Sequence, residues 1–377
     1  MSIHNYLPNN ISIIENDRTT IEIGNVSTRL LQEINLSASK KMIEIFSPSG
    51  VFGVIASKQN PKLEICEFVT NIQDKKTVSK IFDINGIKNG CVFPITDLFA
   101  YKNEVDVVVI RTVLEKRKSL IIKSATFAAS LLKGNGQLFL VGAKNEGVQS
   151  IAKQLSKIFL INSETVQYKQ GVHLIKFSFP LGFKRKIDGE EEDDVQEYDI
   201  NGVSLKLITD ENVFAKGKLD SATKLLLENL IINDSDKILD LGCGSGVIGL
   251  FASKKAKDVR VTLVDDDYIS IKTAERNLIL NKVNNYQLFV SDGLSEMKEG
   301  LFNCIISNPP FHQGREISHL VAERFIRESY KYLLPGGKLY IVCNIFLAYE
   351  KIFKEIYNDS KIIAKNKSFK VILGVKK

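Results

Sequence analysis

Two short segments combine residue types that could do chemistry. The first, Ile238-Leu-Asp240-Leu-Gly242-Cys243-Gly244-Ser-Gly246-Val-Ile-Gly249, is an apolar run that meets an acid and then breaks into glycines. Glycines after a strand let the backbone turn sharply and let a ligand lie close to the main chain. Gly244-x-Gly246-x-x-Gly249 formally satisfies the dinucleotide fingerprint. Asp240, however, would repel a pyrophosphate at the following helix N-terminus. It suits a ligand with no phosphate and a cationic end, such as the α-amino group and sulfonium of S-adenosylmethionine. The second segment is Ser307-Asn308-Pro309-Pro310-Phe311-His312. Proline has no N–H and holds the residue before it extended. The Asn308 side-chain oxygen and the Pro309 carbonyl can therefore accept the two hydrogens of a planar exocyclic amine. Such acceptors stabilise positive charge developing on that nitrogen as it attacks a methyl group. Phe311 offers a face on which a flat base can stack. His312 is equally readable as an RNA contact and as a solvent-facing side chain.

Other acids fall where the same ligand would need them. Asp265 closes a second apolar run, where a carboxylate can accept both ribose hydroxyls, and Asp266 follows it. Asp267 reads as the N-cap of the next helix. Asp292, beside Gly293, is placed to accept from an adenine amino group. Upstream, Val213-Phe214 through Lys218, Asp220 and Thr223 read as an approach segment and helix over the ligand's amino-acid end.

The elements that must carry these residues alternate strand and helix. Strands are expected at 237–241, 259–264, 286–290, 304–307 and 338–343, with helices from 247, over 269–281 and over 317–333. That alternation predicts a parallel sheet covered on both faces. The first half repeats part of the order, with a strand at 104–110, a helix at 119–132, Gly134-Asn-Gly136 and a strand at 137–142. This is a weak internal duplication, and no strand of the first half ends in Gly-x-Gly-x-Gly. At 377 residues the chain is long enough for two cores. The boundary falls at the acidic run 188–199, whose eight acids mask a basic remainder: the net +7 becomes +15 once they are set aside. We therefore expect a domain over 1–182, a charged linker over 183–199 and a second domain over 200–377.

Composition excludes several classes. With 44% hydrophobic and 25% charged residues the chain is that of a globular protein. It has no stretch long and apolar enough to cross a bilayer, and its start has no basic stretch leading into an apolar core, so neither a membrane span nor a signal peptide is expected. Five cysteines without a Cys-x-x-Cys form neither a disulfide framework nor a zinc site, so no metal is expected and a reducing cytoplasm fits. The basic remainder is compatible with a polyanionic partner without demanding one. Residues 361–377 hold six lysines and no acid, which reads as a solvated strand pair or an RNA contact.

On these motifs the chain resembles class I S-adenosylmethionine-dependent methyltransferases, and among them the two-domain bacterial ribosomal RNA guanine-N2 methyltransferases. The resemblance is carried by Val213-Phe214, Leu219-Asp220, Asp240 to Gly246, Thr262 to Asp265, Ser307 to His312, Asn344-x-Phe346-Leu-x-Tyr349 and Phe369-Lys-Val371. It spans nearly all of 201–377. Phe139-Leu-Val-Gly142 with Gly147-Val-x-Ser150 resembles, more loosely, that family's degenerate first domain. The resemblance implies two tandem Rossmann-like domains, the first degenerate and assisting RNA binding, the second a seven-stranded catalytic sheet. It also implies S-adenosyl-L-methionine as cofactor, held by Asp220, Thr223, Asp240, Gly242, Cys243, Gly244, Gly246, Asp265, Asp266, Asp292, Gly293 and Asn308. Asn308, Pro309, Pro310 and Phe311 would be the catalytic set, in a cytoplasmic monomer acting on ribosomal RNA or a ribosomal subunit. Ala222 stands where the family usually has a glycine. A transfer RNA guanine, a release-factor glutamine amide and a non-catalytic RNA-binding role remain as alternatives; Phe311-His312 and the paired domains argue against the glutamine amide.

Overall fold

A computed structural model of the chain describes residues 3–6, 11–24, 26–181, 194–210, 212–213, 219–297, 301–310, 315–357 and 359–377. The chain divides into two compact units, Met1–Glu191 and Glu192–Lys377. The first opens with a hairpin, β1 (Ile3–Tyr6) and β2 (Ile11–Ile14), and two helices, α1 (Asp17–Gly24) and α2 (Val26–Leu31). There follow β3 (Lys41–Ile45), α3 (Val51–Gln59), β4 (Glu64–Val69), α4 (Ile72–Ile84), β5 (Gly90–Pro94), α5 (Ile95–Leu98) and β6 (Val105–Arg111). The unit ends with α6 (Lys118–Ser130), β7 (Leu132–Ala143), α7 (Val148–Phe159), β8 (Glu164–Lys169) and β9 (Val172–Ser178). The second unit opens in the same way with β10 (Val195–Ile200), β11 (Val203–Ile208) and α8 (Ser221–Glu228). Its sheet is built from β12 (Lys237–Leu241), α9 (Val247–Lys255), β13 (Arg260–Asp265), α10 (Tyr268–Leu280), β14 (Tyr286–Val290) and β15 (Phe302–Ser307). It closes with α11 (Arg315–Tyr332), β16 (Leu333–Asn344), α12 (Glu350–Ile356), β17 (Asp359–Lys365) and β18 (Phe369–Val375).

Each unit holds a seven-stranded sheet, ordered β5-β4-β3-β6-β7-β9-β8 in the first and β14-β13-β12-β15-β16-β18-β17 in the second. The two orders are the same, so the partial repeat read from sequence extends to the whole topology. The wholly parallel sheet expected is corrected to a mixed one: β18 runs antiparallel to both β16 and β17. A short loop joins β17 to β18, and so short a connection can only reverse the chain. The lysine-rich end of the chain is thus a strand pair, solvated along β17, where Lys361 and Lys365 are exposed, and buried along β18 from Lys370 to Leu373. The Gly-rich turn at 335–337 lies within the twelve-residue strand β16, whose pairing with β15 shifts register between Phe302 and Cys304.

Both faces of the second sheet are covered. Ile238 packs with Leu250, Phe251 and Leu263, while its neighbours Leu239 and Leu241 pack with Val264, Ile305 and Ile326 on the opposite face. This is the period-two consequence of a buried parallel strand. The linker expected over 183–199 is shorter at its far end, because Val195–Ile200 pairs with β11 from Val195↔Ile208 to Ile200↔Val203. Glu197 and Asp199 face solvent and Ile200 is buried, so alternation carries the strand despite its acids. Residues 182–193 lie outside the described residues.

The registers align the two units residue by residue. Lys41-Met-Ile-Glu44-Ile-Phe46-Ser-Pro48-Ser-Gly50-Val-Phe-Gly53 runs parallel to Lys237-Ile-Leu-Asp240-Leu-Gly242-Cys-Gly244-Ser-Gly246-Val-Ile-Gly249. Ile45 pairs with Phe68 as Leu241 pairs with Val264, so Val69 stands where Asp265 stands. Ile43 pairs with Val108 as Leu239 pairs with Ile305, so Arg111 stands where Asn308 stands.

Candidate active site

The strand β12 ends at a loop whose shape depends on left-handed glycines. Gly242 has φ +72° and Gly246 has φ +77°. At Gly246 a Cβ would lie 2.8 Å from that of Ala274, so glycine also lets α9 and α10 pack. Gly242 and Cys243 donate their N–H groups to the Val264 carbonyl, at 2.8 and 2.9 Å, binding the loop to β13. Asp240 is fully buried. Its Oδ2 accepts from the Gly249 N–H at 2.8 Å, and its Oδ1 has no partner. Burial pushes this carboxyl up to about 7. A buried carboxylate with one unused oxygen is costly unless a cation or donor meets it. Cys243 is buried too, and burial beside Asp265 and Asp240 raises its thiol well above the usual range.

Asp265, at the end of β13, accepts from the N–H groups of Gly244 at 2.8 Å and Asp267 at 3.0 Å. Burial, and then the charges of Asp266 and Asp267, raise its carboxyl. Each of its oxygens keeps a second lone pair for a hydroxyl. Asp267 caps α10 through the Ser270 N–H at 2.9 Å, the role read for it in the sequence. Asp266 is exposed beside it.

Asp292 has a partner that its sequence neighbourhood does not show. Its carboxylate is held by the Arg324 guanidinium, with Nη1 at 3.1 Å from Oδ2 and Nη2 on Oδ1. Asp292 in turn raises the Arg324 guanidinium further above its ordinary value. Gly293, with φ +58°, passes directly under that guanidinium; a Cβ there would come within 3.2 Å of Arg324 Nη2. Sequence reading missed Arg324, because only the packing of α11 brings it across.

Asn308 leaves the end of β15, next to Ser307, whose hydroxyl donates to the Leu241 carbonyl at 2.6 Å and ties β15 to β12. The Asn308 Nδ2 donates to Thr223 Oγ1 at 2.9 Å and to Asp220 Oδ2 at 3.3 Å. Asp220 is itself the N-cap of α8, accepting from the N–H groups of Ala222 and Thr223 and from the Thr223 hydroxyl. An ionised carboxylate only accepts, so the amide must turn its NH2 toward α8. Its carbonyl oxygen, Oδ1, is buried and has no partner. Asp220 and Thr223, read from sequence as cofactor residues, are brought to Asn308 and orient it. Pro309 is buried and Pro310 half-buried beside it. Phe311, His312 and residues 214–218 lie outside the described residues.

The arrangement therefore offers an orphaned carboxylate oxygen at Asp240, a carboxylate with spare lone pairs at Asp265, and an orphaned amide oxygen at Asn308. Among the described residues no His, Cys, Asp and Glu cluster could hold a metal ion, and no helix is long and apolar enough to cross a membrane.

The matched places in the first unit are filled differently. Phe46 takes the left-handed conformation of Gly242, at φ +69°, and Pro48 replaces Gly244 and its N–H. Glu44 stands for Asp240, and the Arg111 guanidinium reaches it at 3.4 Å while donating to Ser27 Oγ at 3.0 Å and Thr28 Oγ1 at 2.9 Å. Arg111 and Glu44 are both buried. The α2 contact from Thr28 to Arg111 mirrors the α8 contact from Thr223 to Asn308, with a cation in place of an amide.

The Methyltransferase small domain family matches residues 204–373. Ribosomal RNA small subunit methyltransferase C of Hahella chejuensis is 32% identical over 266 residues, 70% of this chain and 76% of that protein. The protein of the same name from Escherichia coli K12 is 32% identical over 247 residues, 65% of this chain and 69% of its own length. The structure of T. thermophilus 16S rRNA N2 G1207 methyltransferase (RsmC), in complex with AdoMet and guanosine, has the same fold, with a TM-score of 0.79 at 21% identity, covering 100% of this chain and 98% of that one. With that identity sustained over more than two thirds of the Hahella protein, the chain belongs to the ribosomal RNA small subunit methyltransferase C family.

Proposed function

We propose that the C-terminal domain transfers a methyl group from S-adenosylmethionine to the exocyclic N2 amine of a guanine in small-subunit ribosomal RNA. The observation that carries this reading is the buried, partnerless Asn308 Oδ1, held in place by Asp220 and Thr223. An amide whose NH2 is held by acceptors on one side and whose oxygen is open on the other is preorganised for a ligand donor. An exocyclic amine supplies two hydrogens, one for Asn308 Oδ1 and one for the Pro309 carbonyl. Both acceptors gain strength as positive charge grows on that nitrogen, which is when they lower the barrier.

The residues present fit the cofactor. Asp240 Oδ1 would meet its α-ammonium group, Asp265 its ribose hydroxyls, and the glycine loop its main-chain approach. When bound, S-adenosylmethionine supplies an electrophilic methyl group. Asp292 would accept from the adenine amino group with its remaining lone pairs, since Arg324 occupies the rest. The N-terminal domain is read as a non-catalytic partner that assists RNA binding, because Arg111, Glu44, Phe46 and Pro48 fill the place of the cofactor. The protein is proposed to act as a cytoplasmic monomer on a ribosomal subunit or its assembly intermediate.

Incubating the full-length protein and S-adenosylmethionine with small ribosomal subunits from cells lacking the enzyme tests the reading. Nucleosides from the recovered RNA should contain newly formed N2-methylguanosine by mass spectrometry. A methyl group on any other atom, or none, contradicts it.

A further inference from the structure

Just past the end of β16, the strand next to β15, stands an aromatic side chain that its own domain leaves exposed. Phe346 is 77% exposed and Ile345 41% exposed, immediately after β16. β16 pairs with β15 at Ser307↔Ile341, so Asn344 stands abreast of Pro310 and Phe346 two residues beyond. Adjacent strands lie about 4.8 Å apart, so the ring leaves the sheet at the same edge as Asn308. The loop that presents it is built: Ile345 donates its N–H to the Ser368 carbonyl at 2.9 Å, and Leu347 to that of Asn344 at 3.1 Å. Ser368 belongs to the turn between β17 and β18, where Lys365 and Lys367 are exposed.

A single exposed apolar residue is ordinarily without meaning. Here the duplicated fold supplies a control. In the first domain Ala143 pairs with Val172 as Asn344 pairs with Phe369, and Lys144 donates to the Gly171 carbonyl at 3.0 Å as Ile345 does to Ser368. The same backbone is thus kept in both copies. Its side chains are not: Lys144 and Asn145 stand for Ile345 and Phe346, and Gln170 stands for Lys367. A ring at the place of Phe346 and a lysine at the place of Lys367 occur only in the copy that keeps the glycine loop and Asn308; the exposed Tyr168 of the first copy stands at the place of Lys365 and packs on His173 at 4.7 Å. The shared backbone forms without them, so the fold does not account for the ring.

An exposed ring next to a lysine-bearing turn is the pattern that takes single-stranded nucleic acid, the ring stacking on a base and the cations tracking the backbone. We infer that Phe346 is a stacking platform for an unpaired nucleobase next to the target guanine, with Lys365 and Lys367 on the adjoining phosphates. This rests on the reaction proposed above, and it adds a residue that selects how the strand enters.

The test uses the full-length protein. Affinity is read by anisotropy of a short, unstructured, fluorescein-labelled RNA with one central guanine, and KM is read with small ribosomal subunits from cells lacking the enzyme. Phe346→Asn, which installs the residue of the first domain, should weaken RNA affinity and raise KM by about 10- to 100-fold, the range for one base–aromatic stack. Affinity for S-adenosylmethionine should not change, and kcat should change far less than KM. Phe346→Tyr should restore RNA affinity, whereas Phe346→Leu should not. Wild-type affinity in Phe346→Leu would overturn the proposal, since the residue would then serve as apolar cover. Wild-type affinity in Phe346→Asn would overturn it too, as would a defect seen with subunits and absent with the free RNA, which would make the partner a ribosomal protein. If the wild-type protein methylates no guanine in the subunits, the reaction reading fails, while the anisotropy series still decides the platform.

Discussion

Asp240 concentrates the physical chemistry of the site in one carboxyl group. Burial lifts it to about 7, with the Gly249 N–H opposing that shift. A folded-state value above the ordinary carboxylate range means that this group withdraws stability from the ligand-free protein as pH rises from about 4 through about 7. A cationic ligand binds the ionised form, so cofactor affinity runs the other way. Calorimetric titration should show S-adenosylmethionine binding weakening from about pH 8 to about pH 6, approaching tenfold per unit below 7. Asp240→Asn keeps an acceptor for Gly249 and removes the charge. It should bind the cofactor weakly at every pH, flatten this dependence and raise the melting temperature of the ligand-free protein at about pH 8, where the wild type carries a buried charge. A variant that binds as tightly as wild type would remove Asp240 from the cofactor site.

At the scale of elements, the ends of β12, β13 and β15 and the start of α8 build one edge of the sheet. Thr223 and Asn308 are 85 residues apart in sequence and 2.9 Å apart in space. Thr223→Val preserves shape and removes that anchor, freeing the amide to turn. We expect kcat to fall about tenfold, roughly the worth of one hydrogen bond to a positioned group, while cofactor affinity holds; a loss of cofactor affinity with kcat intact would make Thr223 a cofactor residue instead. This contact also shows which features sequence makes visible. Asp240 with its glycines, and Asn308 with its prolines, are contiguous, and backbone chemistry alone gives them meaning. The N-cap at Asp267 is equally local. The Asp220–Thr223–Asn308 network, and the Arg324 clamp on Asp292, depend on helices packing across the sheet edge, so residue spacing carries no trace of them. The antiparallel β18 escaped an alternation rule that counts strands and helices without their direction.

At the scale of the molecule, two copies of one topology have diverged in what they hold. The acidic run and the strand–helix order made two domains legible. The depth of the duplication was not, because Phe46, Pro48, Val69 and Arg111 erase the motif while the registers stay. Arg111 fills with a guanidinium the place that Asn308 keeps open. Arg111→Ala would leave Glu44 buried without its cation, at a cost of about 3–5 kcal/mol, and calorimetry should show the transition of the N-terminal domain at lower temperature. An unmoved transition would mean that the pair does not hold that domain together. The open oxygen of Asn308 is the centre of the proposed reaction. Single-turnover methyl transfer to small ribosomal subunits by Asn308→Ala, with S-adenosylmethionine affinity measured on the same preparation, tests it most directly. The rate should be lower by about 10²–10³ with cofactor affinity nearly intact; transfer at the wild-type rate would contradict the role proposed for Asn308.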